Sequence, residues 1–70
     1  MSMHTVDARG LSCPEPVILT RKAVTAGEVP CQVLVDNPTA RENVTRYAQH
    51  QGCQVSVTEE NGTYTLTLTK

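Results

Sequence analysis

The chain has 70 residues, six Lys and Arg against seven Asp and Glu for a formal charge of −1, and 39% hydrophobic residues. A chain of this length buries only about 60% of the surface its unfolded form exposes, which allows one small core and excludes a multidomain enzyme with a cleft between lobes. The charge balance excludes a protein built mainly to track a nucleic-acid backbone, because only Arg9, Arg21, Lys22, Arg41, Arg46 and Lys70 are available for a basic footprint.

No apolar run is long enough to cross a membrane as a helix, and the first ten residues lack the basic-then-apolar pattern of a signal peptide. The expected location is therefore the cytosol. Three cysteines at irregular separations, Cys13, Cys31 and Cys53, fit reduced thiols better than a disulfide framework. With no Phe and no Trp, the core must be made of small, branched side chains, which pack well on sheet surfaces.

His4 to Ala8 alternates weakly and reads as a short first strand. Arg9-Gly10-Leu11-Ser12 follows as a loop, and Cys13-Pro14-Glu15-Pro16 opens a helix, since proline in the first turn loses no hydrogen bond and brings a helical φ. That helix is predicted from Pro14 to about Ala26, with Gly27 as its stop and Ile18, Leu19, Ala23 and Ala26 on its broad apolar side. Cys31 to Asp36 carries apolar groups on both faces between Pro30 and Asp36-Asn37-Pro38, the pattern of a central strand. The second helix has two candidate starts: a capping box from Thr39 to Glu42, or Asn37 as cap with Pro38 at the first helical position. Gly52 ends it. Cys53, Val55 and Val57 alternate in a third strand, and Tyr64, Leu66 and Leu68 in a fourth. Asn61-Gly62 between them favours a type I′ hairpin turn. Thr63, Thr65, Thr67 and Thr69 fall on the other face of the last strand, expected toward solvent.

The order β-α-β-α-β-β, with right-handed crossovers, gives one domain of the α+β class: a two-layer sandwich of a four-stranded mixed sheet with both helices on one face. The other sheet face is left as a partner surface or as a threonine-rich face toward water.

Cys13 stands at the start of the first helix, where unpaired amides and the positive end of the helix dipole favour a thiolate, the species that attacks sulfur, carbon or a metal. Pro14 and Pro16 stiffen the backbone behind it. Glu15 opposes activation, because a nearby carboxylate raises the cost of a second negative charge. The alternative is a small buried hydrophobe closing the joint between strand and helix. Cys31 and Cys53 are in phase with strand valines and read as core fillers. No C-x-x-C occurs, and no pair among the cysteines, His4 and His50 has metal-ligand spacing, so no metal and no cofactor is expected.

The loops after the first and second strands leave the carboxyl ends of those strands, where ligands gather in parallel arrangements. Asp7, Arg9, Asp36 and Arg41 are thereby expected to rim Cys13 with mixed charge. Arg41 is unfavourable in a helix's first turn, and is either tolerated on a wet surface or kept for a negative partner. A carrier that offers its sulfur to larger enzymes suits such a rim better than an enzyme that wraps its substrate.

The string Asp7-Ala8-Arg9-Gly10-Leu11-Ser12-Cys13-Pro14-Glu15-Pro16 resembles the signature of the TusA/SirA/YedF family of sulfurtransferase-like carriers, whose mark is C-P-x-P after such a loop. Val35-Asp36-Asn37-Pro38-Thr39-Ala40-Arg41-Glu42-Asn43-Val44 and Gly52-Cys53-Gln54-Val55 are more similar to the N-terminal domain of YedF-type proteins, where a DsrE-like domain usually follows. The resemblance implies a persulfide, or its selenium equivalent, on Cys13, with Pro14, Glu15, Pro16, Arg9, Asp36 and Arg41 in support. It also implies a cysteine desulfurase or rhodanese-like donor and a downstream acceptor protein, with a DsrE-like domain as a further partner. It leaves residues 1–70 either as a single TusA-like domain in its own right or as the excised N-terminal domain of a longer chain. The fold also resembles the C-terminal domain of translation initiation factor three, which keeps a noncovalent protein- or RNA-docking module as the alternative. The weak charge and the lack of aromatic platforms speak against RNA.

Overall fold

The computed structural model describes residues 4–11 and 14–70. Its elements run β1 (His4–Asp7), α1 (Glu15–Thr25), β2 (Cys31–Val35), α2 (Pro38–His50), β3 (Gln54–Glu60) and β4 (Thr63–Thr69). The four strands form one sheet in the order β1-β2-β4-β3, with β1 parallel to β2 and both other pairings antiparallel. This is the two-layer β-α-β-α-β-β sandwich that the sequence predicts.

Strand alternation builds the core. Cys31, Val33 and Val35 of β2 are fully buried and lie opposite Leu68, Leu66 and Tyr64 of β4. Ala23 of α1 and Ala40, Val44 and Ala48 of α2 close over them. Alanine at these positions lets the helix backbones approach the sheet, so small side chains can close a core that has no Phe or Trp.

Both helices end alike. The amides of Gly27 and Glu28 donate to Val24 and Ala23 carbonyls, and those of Gly52 and Cys53 to Gln49 and Ala48. This is the Schellman arrangement, which needs a left-handed residue after the cap. Gly27 at φ +78 and Gly52 at φ +82 supply it without the strain a Cβ would bring. The β3–β4 hairpin turns through Asn61 and Gly62, both at positive φ as a type I′ turn requires.

One open choice is settled and two expectations change. The second helix uses the earlier of its two starts: Asn37 is the cap, its Oδ1 accepts from the Ala40 amide at 2.7 Å, and Pro38 takes the first helical position. On α1 the buried set is Pro16, Thr20 and Ala23, whereas Ala26 is exposed and Ile18 is 38% exposed. Thr20 goes inside because its hydroxyl donates to the Pro16 carbonyl at 2.8 Å, which removes the penalty of burying it. Thr63, Thr65, Thr67 and Thr69 are half-buried and not fully solvated. Their strand is central, and the facing side chains of Gln32, Leu34, Ser56 and Thr58 shield the middle pair from either side.

Candidate functional site

The carboxyl ends of β1 and β2 lie side by side, with Asp7 beside Leu34. Every backbone amide from Ala8 to Leu11 has an acceptor. Ala8 donates to the Leu34 carbonyl at 2.9 Å and Leu11 to the Ala8 carbonyl at 3.4 Å. Arg9 donates to Asp7 Oδ1 at 3.1 Å, and Gly10 to Asp36 Oδ2 at 2.9 Å. Ala8 is buried and Leu11 packs half-buried against the core, so the loop is anchored from below as well. A loop whose amides are all satisfied has little reason to rearrange.

Arg9 also folds back on Asp7, giving Nε to Oδ1 at 3.0 Å and Nη2 to Oδ2 at 2.9 Å. This fork pulls the Asp7 carboxyl down to about 2, first through the side-chain hydrogen bond and then through the backbone amide. Asp7 in turn holds the Arg9 guanidinium above its ordinary range, and Asp36 adds a smaller attraction.

Beyond the loop, Pro14 caps α1 with no side-chain hydrogen bond, and its carbonyl accepts the first helical amide, from Ile18, at 3.0 Å. Glu15 is the acidic residue of the first turn and is exposed, while Pro16 is buried beneath it. Pro14 and Pro16 thus do different things, one capping at the surface and one wedging the helix start into the core. Cys13, on which the site prediction centres, and Ser12 lie outside the described residues.

The predicted rim is only partly assembled. Asp7, Arg9, Gly10 and Asp36 form one hydrogen-bonded group. Arg41 sits at the same end of the sheet but turns away, its guanidinium 5.1 Å from the centroid of the Tyr64 ring. Tyr64 lies opposite Val35, the last residue of β2, so the ring offers the arginine a face where the helix dipole offers it none. Sequence reasoning did not foresee Tyr64 as Arg41's partner or Asp36 as the acceptor for Gly10. Both contacts join segments far apart in the chain, and no local pattern marks them.

Cys31 and Cys53 are 0% and 6% exposed. Burial pushes the Cys31 thiol up, with lesser contributions from Cys53 and Glu28. Both act as core fillers, as their phase with the strand valines implies.

The described residues thus form a two-layer domain with a tethered loop over residues 8–11 and a helix start held by Pro14 and Pro16. Residues 4–70 match the family model described as sulfurtransferase TusA. A sulfur carrier protein TusA from Pseudomonas entomophila (strain L48) is 38% identical over 64 residues, covering 86% of this chain and 79% of that one. The crystal structure of a SirA-like protein from Desulfitobacterium hafniense superposes with a TM-score of 0.85 at 36% identity, covering 94% of this chain and 95% of the other. The chain belongs to the TusA sulfurtransferase family, and sulfur carriage in the general sense of that family is its function. Among the described residues no helix is long and apolar enough to cross a membrane.

Proposed function

We propose that the chain relays sulfur as a persulfide on Cys13, received from a cysteine desulfurase or rhodanese-like donor and passed to an acceptor protein. The observation that carries this reading is the burial of the other two thiols: Cys31 and Cys53 are enclosed by the core, so a partner could reach either one only by opening the fold. In the transfer, the Cys13 thiolate attacks the outer sulfur of the donor's persulfide. The donor's S–S bond breaks, its electron pair leaves on the donor cysteine as a thiolate, and Cys13 carries the new S–S bond. No net oxidation occurs, and the reverse attack by an acceptor thiolate unloads the carrier.

Asp36 holds the preceding loop through Gly10, and Pro14 and Pro16 fix the helix start, so these residues position the sulfur. Glu15 limits how far the helix end can stabilise the thiolate. Arg9 and Arg41 flank the loop end of the sheet and serve to dock negatively charged partner surfaces. A selenium donor fits the same chemistry, and a DsrE-like domain is a further partner of this reading.

The test is incubation with a cysteine desulfurase and radiolabelled cysteine. Label that attaches to the protein and is released by a thiol reductant is the expected result. Charge reversal at both Arg9 and Arg41 should lower the melting temperature through loss of the Asp7 fork and the Tyr64 contact, and should slow loading or unloading at temperatures where the variant is fully folded. Absence of label with every competent sulfur or selenium donor would turn the reading toward a noncovalent docking module, and unimpaired transfer by the double variant would remove the two arginines from it.

A further inference from the structure

β3 is an outer strand of the sheet, and its whole length is paired to β4 on one side only. Native sheets guard such edges with lysine, proline, bulges or short strands. Here all seven residues pair in unbroken register, and the only charges, Glu59 and Glu60, sit at one end. Val57, at the middle, pairs with the fully buried Leu66 and so lies on the helix-covered side of the sheet. It is nevertheless 41% exposed, beside a gap between β3 and α2. The gap is a groove of about 410 Å³ lined by Arg41, Glu42, Thr45, Arg46, Gln49 and Val57. Within its wall the buried Thr45 Oγ1 has no hydrogen-bond partner.

We propose that this edge pairs antiparallel with β3 of a second copy, about a twofold axis at Val57, joining two four-stranded sheets into one. The register about that residue matches like with like except at Val55, which faces Glu59. Val57 meets Val57 of the second copy, Ser56 faces Thr58, and Gln54 faces Glu60, which keeps the acidic ends of the two strands apart. The helices fit as well. α2 contacts β3 and β4, and strands lie about 4.8 Å apart, so two such layers joined at β3 bring the α2 axes about 10 Å from each other, a normal helix-packing distance. On the facing surfaces, Glu42 and Arg46 form an ion pair at 2.9 Å within one chain. In antiparallel helices that pair is its own complement, with Arg46 of each copy reaching Glu42 of the other. The tethered loop at the ends of β1 and β2 lies on the far side of the sheet, so both copies keep it open. The inference does not rest on the sulfur-carrier reading.

Sedimentation equilibrium of the 70-residue chain from micromolar to millimolar concentration tests it, with amide exchange across Val55 to Thr58 measured at both ends of the range. The expected result is a shift from monomer to dimer mass, with those amides gaining protection as the dimer forms. Val57→Lys should weaken association at least about tenfold at an unchanged melting temperature. Glu42→Arg, at an exposed site that does not endanger the fold, should also weaken it, and the double variant Glu42→Arg/Arg46→Glu should restore it. A monomer throughout the range, a dimer indifferent to Val57→Lys, or a Glu42→Arg defect that the double variant fails to rescue would each overturn the proposal.

Discussion

Replacing Asp36 with Ala removes the acceptor for the Gly10 amide and cuts the bond between the two loops at the end of the sheet. A hydrogen bond to a charged group is worth about 1.5–3 kcal/mol, and exposure at this site reduces the expected loss to about 1 kcal/mol. In a domain of this length that corresponds to a fall in melting temperature of up to about 4–8 °C. The same energy is about a fivefold factor in an equilibrium, so the Gly10 amide should exchange about fivefold faster. If the donor engages the tethered loop, sulfur loading should slow by a similar factor. Asp36→Asn keeps a carboxamide oxygen in place and should lie between the two proteins in all three measurements. Hydrogen exchange by NMR reads the local effect, thermal melting the global one, and a timed loading assay the functional one. An Asp36→Ala protein with unaltered Gly10 exchange would refute the tether. Slowed loading with unaltered exchange would show that Asp36 acts directly on the partner.

Asn37→Ala should cost about 1 kcal/mol by leaving the Ala40 amide uncapped, visible as a lower urea midpoint at unchanged slope, whereas Thr39→Ala should cost less because Thr39 is not the cap. The Asp7 carboxyl is held down to about 2 in the folded chain, so its contribution to stability is present above the ordinary aspartate range and is lost as pH falls through about 2. Carboxyl-carbon NMR should place its midpoint there, and Arg9→Gln should move it up toward the ordinary value. A midpoint that Arg9→Gln leaves in place would remove Arg9 as the cause.

The order of elements is legible in the sequence because each boundary carries a local chemical mark: proline at both helix starts, Gly27 and Gly52 at both ends, and Asn61-Gly62 at the hairpin. Alternation along β2 and β4 likewise announces which valines and leucines enter the core. The sequence is least informative where a choice depends on tertiary surroundings. Thr20 and Ile18 exchange the places their hydropathy suggests because Thr20 has an acceptor one turn back, and because the helix's orientation on the sheet decides which side of it is covered. The choice of Asn37 over Thr39 is a competition between two caps of comparable strength, which the position of Pro38 decides. At the site, Asp7, Arg9 and Asp36 are legible as a polar group at the ends of the first two strands. The turning of Arg41 onto Tyr64 is not, since it joins a helix to the last strand across the fold.

The most direct test of Cys13 as the sulfur-bearing residue is intact-mass measurement after desulfurase loading, on the wild-type chain and on Cys13→Ser, Cys31→Ser and Cys53→Ser, with peptide mapping of the adduct. Placing a hydroxyl in the core at Cys31 should cost about 1–3 kcal/mol, so each variant is first shown to be folded by circular dichroism. The expected result is a gain of one sulfur atom on the wild type and on the folded Cys31 and Cys53 variants, mapped to the peptide containing Cys13, with no gain on Cys13→Ser. Loading of Cys13→Ser, or an adduct mapped to Cys31 or Cys53, would contradict it.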